Sequence, residues 1–316
     1  MLLVSLELHM SILVVGSVAF DSVKTPFGEA KDILGGSASY FSIAASFFAP
    51  VNLVAVVGDD FPNEHVDLFH RFCVDTRGLQ KLPGKTFRWK GEYGFALNEA
   101  KTLDTQLNVF ESFRPEIPLG YRNCEYVFLG NIDPVLQRQV LAQVNRPKFV
   151  ACDTMNYWID HRLEELRKTL ALVQILIIND AEARMLTGES NLTKAARTIC
   201  ALGPKILVVK KGEYGVSMYA DGSIFGAPAF PLEDVFDPTG AGDSFAGGFV
   251  GYLAKVGRLD GETLRKAVIY GSIMASFNVE DFSLQRMKRL KHSEIQERYL
   301  QFKVLTHFEA DQSFHA

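Results

Sequence analysis

The sequence predicts a three-layer α/β/α fold built on a mainly parallel sheet, with a small β-strand lid beside it. Three features lead there. Apolar runs of strand length alternate with segments of helical period, the pattern of strands covered on both faces by helices. The 316 residues, 47% hydrophobic and 22% charged, suit one large globular domain. One stretch, 86–113, breaks the alternation by mixing aromatic and β-branched residues with polar ones.

In chain order, a buried strand is expected at 11–18, S-I-L-V-V-G-S-V, and a helix of small residues at 37–48. A strand follows at 51–57 and, after Pro62, a helix at 63–72. Residues 86–113 read as two or three short antiparallel strands forming the lid, with an irregular surface hairpin as the plainer alternative. Strands at 126–129, 148–152, 174–178 and 205–209 then alternate with helices at 134–144, 161–172 and 192–202. These elements define a single domain over 10–310. Residues 1–9 would be an extension, and Met10, where the strand pattern begins, is a second candidate start. Ligands of such sheets sit at the carboxyl ends of the strands, so the loops there are where chemistry is sought.

Bulk properties narrow the function. A net charge of −4 offers nothing to nucleic acid or an anionic membrane surface. The basic run at 286–291 is short and reads as a solvated stretch near a helix start. Cys73, Cys124, Cys152 and Cys200 are far apart without a C-x-x-C pair, as expected of reduced thiols. The first ten residues lack a basic region and a small-residue cleavage site, and no apolar run reaches membrane-spanning length, so a cytoplasmic location is expected.

The stretch D-P-T-G-A-G-D-S-F-A-G-G at 237–248 carries the chemistry. Gly240 and Gly242 allow close backbone approach, and helical period follows through about residue 255. A glycine loop opening a helix aims several amides and the helix dipole at one point, which can hold a phosphate. Asp243 lies at that helix start. A carboxylate there can deprotonate an attacking hydroxyl while the loop stabilises the transferred group. Read from these residues alone, it is equally a helix cap.

The segment resembles the signature D-T-x-G-A-G-D-x-F-x-x-G of the PfkB, or ribokinase-like, family of sugar and nucleoside kinases, departing at Pro238 where Thr is usual. Three more motifs follow the family's order: Gly16 to Asp21 with Gly35-Gly36, N-D-A-E at 179–182, and Lys211-Gly212. The resemblance implies transfer of the γ-phosphoryl of ATP to a hydroxyl of a small sugar or nucleoside, the sugar slightly preferred. It implies Asp243 as general base and the backbone of Gly240, Ala241 and Gly242 as anion hole. Asn179, Lys211 and Gly212 would meet the nucleotide, and Glu182 would organise Mg²⁺, partly through water. Asp21, Gly35 and Gly36, with Tyr40 in place of the usual asparagine, would line the acceptor site. Apart from the resemblance, Asn131 and Asp153 each follow a strand and either face the pocket or cap a helix or loop. Asp237 and Thr239 match positions that hold a monovalent cation such as K⁺ in some members.

Tyr40 replaces the family's usual asparagine, so the acceptor pocket departs from that of ordinary ribokinases. Arg88, Trp89 and Tyr93 of the lid could cover a sugar or stack on a base, or pack within the flap. Exposed lid strands also make a homodimer through the lid plausible. Other signals fail on spacing. G-L-Q-K-L-P-G-K-T at 78–86 has five residues between its glycines where a phosphate-binding loop has four. Gly240-x-Gly242 lacks the third glycine of a dinucleotide fingerprint. The seven histidines show no metal-ligand spacing. Lys-Gly-Glu-Tyr-Gly occurs at 90–94 and 211–215, but its flanks do not match and no repeat is inferred.

Overall fold

The computed structural model describes residues 11–309, so the expected 1–9 extension and the Met10 start lie outside the described residues. The apolar runs become a nine-stranded sheet in the order β13-β12-β11-β10-β9-β8-β1-β4-β5. Its strands are β1 (Ile12–Val15), β4 (Val51–Val57), β5 (Val74–Lys81), β8 (Tyr126–Leu129), β9 (Phe149–Cys152), β10 (Ile175–Asn179), β11 (Ile206–Lys210), β12 (Val216–Ala220) and β13 (Ser223–Ala227). Pairing is parallel from β5 to β11 and antiparallel for β12 and β13.

Alternate residues of each central strand enter opposite cores. Ile12, Val14, Ile175, Ile177 and Val208 join one apolar cluster; Leu13, Val15, Leu176, Ile178 and Val209 join the other. The first core is closed by helices α1 (Ser37–Ser46), α2 (Asn63–Arg71), α8 (Ala241–Val256), α9 (Gly261–Asn278) and α10 (His292–Leu305). The second is closed by α3 (Pro134–Leu141), α4 (Asn156–His161), α5 (Leu163–Leu170), α6 (Asp180–Thr187) and α7 (Leu192–Ala201). The continuous apolar runs are thus buried on both faces. The three-layer α/β/α architecture is the one expected, and no described helix is long and apolar enough to cross a membrane.

A second, four-stranded sheet has the order β3-β2-β6-β7. Only β6 (Phe87–Tyr93) and β7 (Ala100–Gln106) come from the 86–113 stretch. The other two, β2 (Ala19–Thr25) and β3 (Gly28–Gly35), form a hairpin far upstream. Residues 108–112 form a 3₁₀ turn instead, and Val109 and Phe113 are buried in the second core. The first strand stops at Val15 rather than 18, because Ser17 turns back to Ser37. The Ser17 amide donates to Ser37 Oγ at 3.2 Å, and the Ser37 amide to Ser17 Oγ at 3.0 Å. The basic run is not fully solvated either. Arg286 is largely covered and pairs with Glu280 and Glu294, at 2.8 and 2.6 Å.

Candidate active site

The carboxyl ends of β9, β10 and β11 and the start of α8 bring four charged side chains together. Gly240 precedes α8 in the left-handed conformation, φ 76°, which a residue with a β-carbon would adopt only under strain. A β-carbon there would also meet the Tyr40 ring at 2.3 Å, so the ring lies flat against this turn. The Ala241 amide donates to Pro238 O at 3.1 Å and the Ser244 amide to Gly240 O at 2.8 Å. Among the first amides of the helix, that of Ala241 therefore closes the loop on itself. First-turn amides such as those of Gly242 and Asp243 have no intrahelical acceptor.

Asp243 is half-buried and makes no hydrogen bond or ion pair among the described residues. Burial and the charge of Asp153 push its carboxyl up to about 7, with Lys210 pulling the other way. Glu182 is likewise raised to about 7, by burial first and then by Asp153. Burial raises Asp153 as well, again against Lys210. Burial alone would lower Lys210, but Asp153, Glu182 and Asp243 outweigh it and hold the ammonium charged. Three carboxylates thus surround one lysine.

The N-D-A-E motif has a local structural role too. Asn179 Oδ1 accepts from the Glu182 amide at 2.7 Å, and Glu182 Oε2 from the Asn179 amide at 2.8 Å. This reciprocal capping box starts α6 and fixes Glu182 beside the cluster. Lys211 and Gly212 lie at the following 3₁₀ turn and bond within it rather than to the cluster; Asn98 reaches the turn only through Glu213. The Lys211 amide donates to Gly215 O at 2.8 Å, and Asn98 Nδ2 donates to Glu213 Oε1 at 3.0 Å.

The residues expected at the acceptor end meet in part. Asp21 on β2 is buried under Gly35, where a β-carbon would fall 1.9 Å from Asp21 Oδ2. Burial lifts its carboxyl to about 7 against the Gly36 amide, with Asp237 and Asp243 adding to the rise. Tyr40 is 1% exposed, and its hydroxyl is sealed from solvent with no hydrogen-bond partner among the described residues. Asn131 is engaged elsewhere: its amide donates to Met155 Sδ at 3.0 Å and its carbonyl accepts from Trp158 Nε1 at 2.8 Å. In the small sheet, Trp89 pairs in register with Asp21, and Tyr93 Oη lies 3.3 Å from Thr239 Oγ1. Arg88 is drawn off to Asp60, at 2.8 Å. Asp237 is fully buried, its two oxygens accepting from the Thr239 amide at 2.9 Å and the Ser283 amide at 3.1 Å.

Comparison with known proteins gives this geometry its class. The model of the pfkB family carbohydrate kinases matches residues 11–289. The chain belongs to the pfkB family. It is similar to a cytidine kinase of Thermococcus kodakarensis, 32% identical over 76% of this chain and 87% of that protein. A nucleoside kinase of Thermoplasma acidophilum is 27% identical over 78% of each chain. Among solved structures, the nucleoside kinase of Methanocaldococcus jannaschii superposes with a TM-score of 0.75 at 20% identity, covering 92% of this chain and 98% of that one. The pfkB protein described here is therefore a phosphotransferase, and kinases of its family use ATP.

Lys210 was not singled out from the sequence. The signal was present, since the apolar run I-L-V-V ends in a lysine where the strand meets the ligand edge of the sheet.

Proposed function

We propose that this kinase moves the γ-phosphoryl of ATP to a hydroxyl of a nucleoside, with Asp243 as the general base. The observation that carries this reading is the state of Asp243. It is a carboxylate unpaired among the described residues and raised to about 7, in the first turn of a helix opened by a left-handed glycine. Such a group takes a proton efficiently near neutral pH, because its affinity for the proton is matched to the task. The backbone of Gly240, Ala241 and Gly242 shapes the anion hole; Gly242 supplies its amide, while that of Ala241 holds the turn. Amides fixed in advance stabilise developing charge without rearranging.

Among the described residues no group of three or more His, Cys, Asp or Glu forms a metal cage. Mg²⁺ needs none, since it keeps several waters and takes oxygens from phosphates. Glu182, held by its capping box with Asn179, would reach such waters, and the metal would supply charge neutralisation at the phosphates. Asp237 and Thr239 are assigned the holding of the loop, and K⁺ receives no step. Asp21, with Gly35 and Gly36, would bind acceptor hydroxyls, a carboxylate being able to accept from two neighbours. Tyr40 closes the floor of that pocket, and the small sheet serves as its lid, excluding water from the reaction.

The two relatives named for cytidine and nucleoside kinases favour a nucleoside over the free sugar slightly preferred from the sequence. The register of Trp89 with Asp21, and Tyr93 at Thr239, would also set aromatic surface beside the pocket for a base. ADP release is the test, measured with cytidine, uridine, adenosine, inosine, ribose, fructose and inositol. Turnover with a nucleoside and none with the sugars is expected; turnover confined to sugars sinks the nucleoside reading. Asp243→Asn should lower kcat at least ~10²-fold with ATP binding kept. Near-wild-type turnover in that variant removes Asp243 from its role.

A further inference from the structure

The proposed base and the helix-start amides include no side-chain cation for the terminal phosphates that ATP would bring. Lys210 ends β11, in register with Asn179 of the capping box. A β-carbon built on Gly242 would lie 2.7 Å from Lys210 Nζ, 3.6 Å from Cε and 3.8 Å from Cδ. The aliphatic stem thus runs along Gly242, and the ammonium rests against the first turn of α8. Among the described residues it makes no hydrogen bond and no ion pair, although Asp153, Glu182 and Asp243 act on it from farther away. Nor is Nζ one of the polar atoms sealed from solvent without a partner. The tip therefore keeps some access to solvent. An ammonium held by its stem and committed to no carboxylate is set to receive an anion arriving from solvent.

We propose that Lys210 is a phosphate-binding catalytic residue of this kinase: beside Gly242, its ammonium takes oxygens of the terminal phosphates of ATP and carries charge that develops there during transfer. The proposal rests on the assignment of ATP to this end of the sheet. No bond to Lys210 forms or breaks; the phosphoryl passes to the substrate oxygen and the hydroxyl proton to Asp243. The competing role is structural, a lysine that only neutralises three crowded carboxylates.

The test separates these by nucleotide length. Calorimetric titration with the β,γ-imido analogue of ATP, with ADP and with AMP, each with Mg²⁺, compares wild type with Lys210→Met. Affinity for the analogue and for ADP should fall about tenfold or more, with AMP within about twofold, since one charge-assisted contact to the outer phosphates is lost. kcat should fall by about 10²–10³, as when one preorganised donor is removed. Lys210→Arg should recover only part of this, because a planar fork does not reproduce a point charge.

Removing the lysine leaves three crowded carboxylates without their cation, which destabilises the fold, so Asp153→Asn is added to Lys210→Met. The double variant should regain thermal stability while analogue affinity stays low. Recovery of analogue affinity would overturn the proposal, as would equal weakening of all three nucleotides or no weakening of any. Failure of the wild type to bind the analogue would sink the ATP assignment itself.

Discussion

The same five residues, Lys-Gly-Glu-Tyr-Gly, do two different things in this molecule. At 90–94 the first four run along the end of β6 and Gly94 lies just beyond it, with Gly91 opposite Thr102 and Tyr93 opposite Ala100. At 211–215 they form a 3₁₀ turn, with Gly212 at φ 55° and Gly215 at φ 85°. The first copy is held extended by partners on both sides, β2 and β7. The second hangs between antiparallel β11 and β12 and must reverse the chain. Their tyrosines part accordingly. Tyr93 enters the site and meets Thr239, whereas Tyr214 is 73% exposed. Local sequence permits both shapes, and the neighbours decide between them.

The largest expected effect concerns the carboxylate beside Lys210, the residue that precedes the second copy. An unfolded aspartate titrates near 3.8, and Asp243 in the fold near 7. Between those values the folded chain holds the extra proton. The stability it contributes is full below pH 3.8 and lost as pH rises through 7. Asp243→Asn should therefore melt close to wild type at pH 3.8 and several degrees higher at pH 8, read by calorimetry; equal shifts at both pH values would contradict the burial of that charge. Next comes Gly215→Ala. Its β-carbon would fall 2.1 Å from Ala227 O at a positive φ, so urea unfolding should show a loss of about 2–3 kcal/mol.

The tyrosines give a smaller contrast. Tyr93→Phe should cost about 1 kcal/mol of stability, the worth of one ordinary hydrogen bond, and Tyr214→Phe nothing measurable. The least effect is expected at Gly94, where no atom lies within 4 Å of a built β-carbon. Gly94→Ala should stay within about 0.5 kcal/mol of wild type, as surface changes usually do. If Gly94→Ala cost as much as Gly215→Ala, the two copies would not differ in the way described.

What could be read from the chain followed burial. The runs at 51–57 and 126–129 became strands with those same bounds, because both faces of each are covered and every residue is apolar or nearly so. The hairpin β2–β3 escaped notice. Its strand A-F-D-S-V-K-T alternates only partly, and most of G-E-A-K-D-I-L-G is exposed, so it carries little apolar signal. Its Pro26-Phe27 turn was the available sign. Asp243, Gly240, Asp21 and Gly35 stood out through motifs, whose spacing survives in sequence. Asn131 was not distinguishable from a pocket residue, since its commitments to Met155 and Trp158 are made across 24 and 27 positions. Lys210 was missed because a lysine after an apolar run reads as the end of a strand, and only the folded chain brings Gly242 against it.

A hydrogen-bonded path ties the glycine loop to the start of the chain. Asp237 is gripped by the Ser283 amide, and the Ser283 hydroxyl in turn holds Leu34 O, 249 positions earlier. Closing so long a span is entropically costly and comes late in folding. On the ribosome, the glycine loop cannot be pinned to the Gly35-Gly36 segment until residue 283 has emerged, whatever has already formed upstream. A nascent chain would carry every motif through residue 243 and still lack this fastening.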